Sequence, residues 1–123
     1  MSEFTIPSKE VTIGDVDYRV LAFLGTKSVT LVGKVMKIVG PSISEFFNET
    51  EDATTNAIKV FSQSLGDQDL APIVKELLAG VTKEGKAVNL DRDFIGENFA
   101  HLPKLLVEVC MFNWGSAFRE ISI

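Results

Sequence analysis

Apolar and polar residues alternate along the first part of the chain and then change period at Gly25. Residues 3 to 23 follow a period of two, the signature of strands with one buried face. Phe4 and Ile6 alternate with polar neighbours until Pro7-Ser8 breaks the run. Val11 and Ile13 lead up to Gly14-Asp15, and Val16, Tyr18, Val20 and Ala22 alternate after it. Two alternating runs around a Gly-Asp pair predict a β-hairpin, because glycine accepts the positive φ of a tight turn.

From Gly25 the period becomes helical. Thr26 or Ser28 is placed to cap a helix in which Leu31, Val32, Val35, Met36 and Val39 recur at spacings of three and four. Gly33 within it marks a close helix approach, and Gly40-Pro41 ends the run. A short helical turn through Ile43, Phe46 and Phe47 follows, then an acidic loop, Asn48 to Asp52. Ala53 to Leu65 predicts a weaker helix with Ile58, Phe61 and Leu65 on one side, closed by Gly66. Asp67 or Asp69 caps the next helix. There Leu70, Ile73, Val74, Leu77 and Leu78 give the full i, i+3, i+4, i+7, i+8 pattern up to Gly80. Lys83-Glu84-Gly85-Lys86 reads as a turn, and Ala87 to Leu90 as a short strand that adds to the hairpin.

The last third is the most distinctive. Asp91-Arg92-Asp93 precedes a Phe94…Phe99 pair. After Pro103 an apolar helix carries Leu105, Leu106, Val109, Phe112 and Asn113 on one face and ends on Asn113-Trp114-Gly115, with Phe118 beyond. The expectation is an α+β fold: one domain over residues 1–123, with a β-hairpin in 1–24 and a mostly helical part in 25–123.

The 123 residues are enough to bury a core, and 46% of them are apolar. That share fits either a well-filled core or apolar surface kept for a partner. The formal charge of −5 and the scattered lysines argue against nucleic acid, whose phosphates need clustered cations. No apolar run reaches the ~20 residues that span a bilayer. Met1-Ser2-Glu3-Phe4 lacks the basic start and apolar run of a signal peptide, so a cytoplasmic location is expected.

Candidate chemistry is sparse. His101 is the single histidine and Cys110 the single cysteine, nine residues on and set among apolar neighbours. A zinc site needs more ligands than these. His101 reads as a residue at a helix start and Cys110 as a packed thiol. Asp91 and Asp93 form an Asp-x-Asp pair, which suits either a metal or the capping of a helix start; capping is the simpler reading. Glu49, Glu51 and Asp52 lack the spacing of a calcium loop. The glycines make no phosphate cradle. No metal, cofactor or catalytic activity is expected. Phe112, Trp114 and Phe118 are either core or anchors for a partner, since aromatics bury much area at low entropic cost.

Three features together resemble the tail assembly chaperones of long-tailed bacteriophages. They are the Tyr18-Arg19-Val20 strand followed by a helix, the Gly40-Pro41 break, and the run Phe94…Phe99…Leu102…Leu105-Leu106…Glu108-Val109…Asn113…Phe118. Pro103 departs from the continuous helix expected there, so the helix must start at it or kink. The resemblance implies a protein that binds the tape measure protein, a very long helical chain. It would keep that chain soluble in the host cytoplasm while tail tube protein polymerises around it, and be absent from the mature virion. A structural virion part, such as a head–tail joining or tail terminator protein, is the alternative. The apolar faces predict homo-oligomers. The partner-binding surface is expected on the 103–113 helix, with Leu106, Val109, Phe112, Trp114 and Phe118, and on the Leu70–Leu78 helix, around Val74, as second wall.

Overall fold

The computed structural model describes residues 5–39 and 70–121, and only the backbone at 38–39, 70 and 116–121. Strands β1 (Ser8–Ile13) and β2 (Val16–Leu21) form the predicted hairpin, with Val11 opposite Tyr18 and Ile13 opposite Val16. Gly14 takes φ +61 at the turn, the conformation that favours glycine there. The alternation gives the sheet two unlike faces. Ile13, Tyr18 and Val20 are buried, with Val11 and Val16 packed beside them. On the open face Glu10 meets Arg19 at 3.4 Å, and the Thr12 hydroxyl donates to Asp17 at 2.7 Å. The strand begins later than the alternation of Phe4 and Ile6 predicts. Residues 5–7 lie outside it, although the Ala22 N–H still donates to the Pro7 carbonyl at 2.9 Å. Phe4 lies outside the described residues.

The sheet has four strands in the order β1-β2-β3-β4, all antiparallel. The predicted strand at 87–90 is corrected in two ways. The strand that joins the hairpin is β3 (Val81–Lys83), while β4 (Lys86–Ala87) pairs with β3 and stops at Ala87. The reason is local. The Asn89 side chain accepts the N–H groups of Asp91 and Arg92, each at 3.0 Å, and Asp93 accepts the Asn89 N–H at 2.7 Å. This reciprocal cap turns the chain into a one-turn helix, α3 (Leu90–Asp93), after α1 and α2 described next. Asn89 is therefore the cap, Asp93 its counterpart, and Asp91 takes no part through its side chain.

Helix α1 (Gly25–Val39) starts earlier than its polar residues suggested. The Leu24 carbonyl accepts the Ser28 N–H at 2.9 Å, so Thr26 and Ser28 sit inside the first turn rather than at the cap. Leu31 and Val35 are fully buried. Gly33 is exposed, and a Cβ there would meet nothing within 4 Å among the described residues, so it marks no close approach. The Gly40-Pro41 break, the two helices read between residues 43 and 65, the acidic loop and the Asp67 or Asp69 cap lie outside the described residues. Helix α2 (Leu70–Leu77) passes into a 3₁₀ turn, Leu78–Gly80, and buries Val74, Leu77 and Leu78.

A second 3₁₀ turn (Gly96–Ala100) leads into α4 (His101–Ile121). Pro103 is its third residue. An N–H there would have no partner within the helix, so proline costs nothing and no kink is needed. Nor does the helix stop at Asn113-Trp114-Gly115, because Gly115 is buried against Met111 and the helix continues to Ile121. The fold is thus α+β and mostly helical, with an N-terminal hairpin, as the sequence predicts. One buried cluster joins the sheet to α1, α2 and α4. Each fully buried leucine or valine in it contributes about 1.5–3 kcal/mol from burial alone.

Candidate functional site

Helix α4 is the central packing element. Leu102, Leu105, Leu106, Val107, Val109, Cys110 and Trp114 are all buried. Val107 and Cys110 extend the apolar stripe well beyond the single face read from spacing, which is the mark of a helix covered on several sides. Among the residues nominated for a partner, Leu106 and Val109 have no exposed surface and Trp114 has 6%. Phe112 is half-buried and packs against the core from outside. Val74 is buried on α2 beside the half-buried Ile73. The Phe118 side chain lies outside the described residues.

Trp114 and Asn113 fasten the segment that links β2 to α1. The indole N–H of Trp114 donates to the Ser28 hydroxyl at 2.9 Å, and the ring stacks on Phe23 with centroids 5.8 Å apart. Asn113 Oδ1 accepts the Phe23 backbone N–H at 2.9 Å, and its amide donates back to the Val109 carbonyl at 2.9 Å. Lys27 lies over the other ring of this group, 5.3 Å from the Phe23 centroid. Spacing alone did not reveal Phe23 or Ser28. Phe23 follows the last strand residues, and Ser28 carried the signal of a cap.

At the start of α4, His101 Nδ1 and Tyr18 Oη are 3.0 Å apart. Burial, and after it the nearby Asp93 charge, pushes the Tyr18 phenol above its usual range. Phe94 stacks on Tyr18 at 6.3 Å. His101 is thus at a helix start, bonded to the hairpin. Burial drives the Cys110 thiol far up, so it stays protonated and inert as a nucleophile at neutral pH. The Arg92 side chain, then the Asn89 N–H, hold the Asp93 carboxyl below the usual carboxylate range. Among the described residues no group of three or more His, Cys, Asp or Glu could hold a metal ion, and no helix is long and apolar enough to cross a membrane.

Among the described residues the arrangement is one of packing and apolar contact. The family model described as phage tail assembly chaperone protein, TAC, matches residues 14–123. The chain belongs to this family. The match starts in the turn of the first hairpin and includes all of α4, the helix on which the resemblance rests. It makes this a tail assembly chaperone of a bacteriophage. No curated protein and no solved structure matches the chain.

Proposed function

We propose that this chaperone binds the tape measure protein and keeps it soluble while the tail tube assembles around it. The family match over residues 14–123 carries the reading. The chain acts in the host cytoplasm, is not retained in the mature virion, takes no cofactor and performs no catalysis. Tail tube protein is a further partner, and the chain self-associates while waiting.

The partner surface is formed around α4 and α2. Phe112 and Ile73, both half-buried, give contact area directly. Leu106, Val109, Trp114 and Val74 set the position of these helices from beneath. Val29, 73% exposed, and Phe99, 50% exposed, add apolar surface of the kind a helical partner covers.

Co-expression of the tape measure protein with and without this chain tests the reading. The expected result is soluble tape measure protein that co-purifies with the chaperone only when both are present. Tape measure protein equally soluble alone would overturn it. Stoichiometric recovery of the chain from purified virions would instead identify a structural tail component.

A further inference from the structure

The tip of the β3–β4 hairpin breaks two local rules within four residues. Its two-residue turn, Glu84-Gly85, has φ +52 and +83. Glycine adopts that conformation freely, but a residue with a Cβ pays about 1–2 kcal/mol for it. The turn also sets Lys83 directly opposite Lys86. Opposed residues in an antiparallel pair share a face, and like charges in that position repel.

The repulsion is relieved only in part, by the charge of Asp93 acting on Lys83. The ion pairs among the described residues use Lys9, Arg19, Lys34 and Arg92, and neither Lys83 nor Lys86 enters one. Asp93 stands close but is already engaged, accepting from Arg92 at 3.3 Å and from the Asn89 N–H at 2.7 Å. Lys83, Lys86 and Arg92 line one open cavity of about 270 Å³ with Glu84, Ala87 and Asp93. On a chain of net charge −5, this lining sets three cations against two carboxylates, Glu84 and Asp93, and so carries a net positive charge. Broken local rules of this kind concentrate where a surface serves a function.

We propose that the Lys83–Lys86 tip docks an acidic segment of the chaperone's protein partner, whose carboxylates bridge the two ammonium groups. The proposal rests on the reading that the chain holds the tape measure protein, and it fixes one contact in that complex. A protein partner fits better than nucleic acid. Three cations interspersed with Glu84 and Asp93 are too few to track a phosphate backbone against an acidic exterior.

The test uses the full chain with K83Q/K86Q. Folding stability should equal or exceed that of the wild type, because the repulsion is gone. Capture of co-expressed tape measure protein should fall on the order of tenfold at low salt, about what two exposed ion pairs supply, and the difference should vanish at high salt. A less stable variant would overturn the proposal, since the lysines would then serve the fold. Equal capture by both proteins would overturn it while leaving the chaperone reading intact. If the wild type captures no tape measure protein, that reading fails, and a deca-glutamate peptide becomes the probe. Salt-sensitive binding to the wild type, lost in the variant, supports the acidic site; equal binding to both refutes it. An oligonucleotide that binds the wild type and loses that binding in the variant would also refute it, in favour of nucleic acid.

Discussion

The Asn113 side chain accepts the backbone N–H of Phe23 at 2.9 Å, across ninety positions of sequence. Phe23 lies where β2 has ended and α1 has not begun, so its N–H has no partner in either element. Asn113 supplies one, and its own amide is held by the Val109 carbonyl one turn back. The side chain therefore has its acceptor and its donor both fixed, and it ties the hairpin's exit to the central helix. One residue further on, Trp114 repeats the connection through Ser28 and Phe23.

Asn113→Ala should destabilise the fold by about 1–3 kcal/mol, because it leaves a half-buried N–H unsatisfied. Asn113→Asp should cost less at acid pH, where the protonated carboxyl both accepts from Phe23 and donates to Val109, whereas the ionised form sets a second oxygen against that carbonyl. Urea unfolding of the two variants at acid pH checks the order. Equal losses there would show that the bonds to Phe23 and Val109 carry little weight.

Trp114 separates core from contact surface. At 6% exposure, with its indole N–H bonded to Ser28, it behaves as a core residue. Trp114→Ala should cost about 3–5 kcal/mol. Phe112→Ala should cost less in stability and, at a hot spot, at least about 2 kcal/mol in partner affinity. Melting temperature and tape measure co-purification, measured on both variants, distinguish the two roles. A Trp114→Ala protein that melts like the wild type would place Trp114 outside the core.

The hairpin was legible because six alternating apolar positions flank a Gly-Asp turn, and α2 because its five apolar residues leave one helical face. β3 was not legible. Val81-Thr82-Lys83 is too short for a period, and it becomes a strand only because the free side of β2 accepts it. The true extent of α4 was hidden by Gly115, which reads as a stop signal but lies buried against Met111. The same limit applies to the candidate site. Spacing identified Leu105, Leu106, Val109 and Phe112 as one apolar stripe, but a stripe does not say what covers it. In this chain the sheet, α1 and α2 do. Ser28 illustrates the remaining gap: a hydroxyl near a helix start signals a cap, and only the three-dimensional placement of Trp114 reveals its other use.

Gly33 offers a gain in stability. It lies inside α1 on an exposed face, and no described residue comes within 4 Å of where a Cβ would stand. Glycine in a helix interior costs about 1 kcal/mol relative to alanine. Gly33→Ala should therefore stabilise the protein by about that amount, seen as a raised urea midpoint at unchanged slope. Loss of stability would mean that another surface closes on α1 at this point.

Acid should weaken the junction before α4 through Asp93. Its carboxyl is held below the usual range by Arg92 and by the Asn89 N–H, so the folded state favours the charged form more than the unfolded chain does. The sign follows from linkage. The stabilisation is fully present above the unfolded value of about 3.9 and is lost as pH falls through the lower folded value. Asn can still accept the Asn89 N–H but cannot carry the charge, so Asp93→Asn removes the titration and keeps the cap. The wild type should lose more stability between neutral pH and about pH 3 than Asp93→Asn does. The pair is partly open to solvent, with Arg92 67% exposed, so the difference should shrink with added salt. Parallel acid profiles for the two proteins would show that Asp93 serves as a neutral cap acceptor and that its charge adds nothing to the fold.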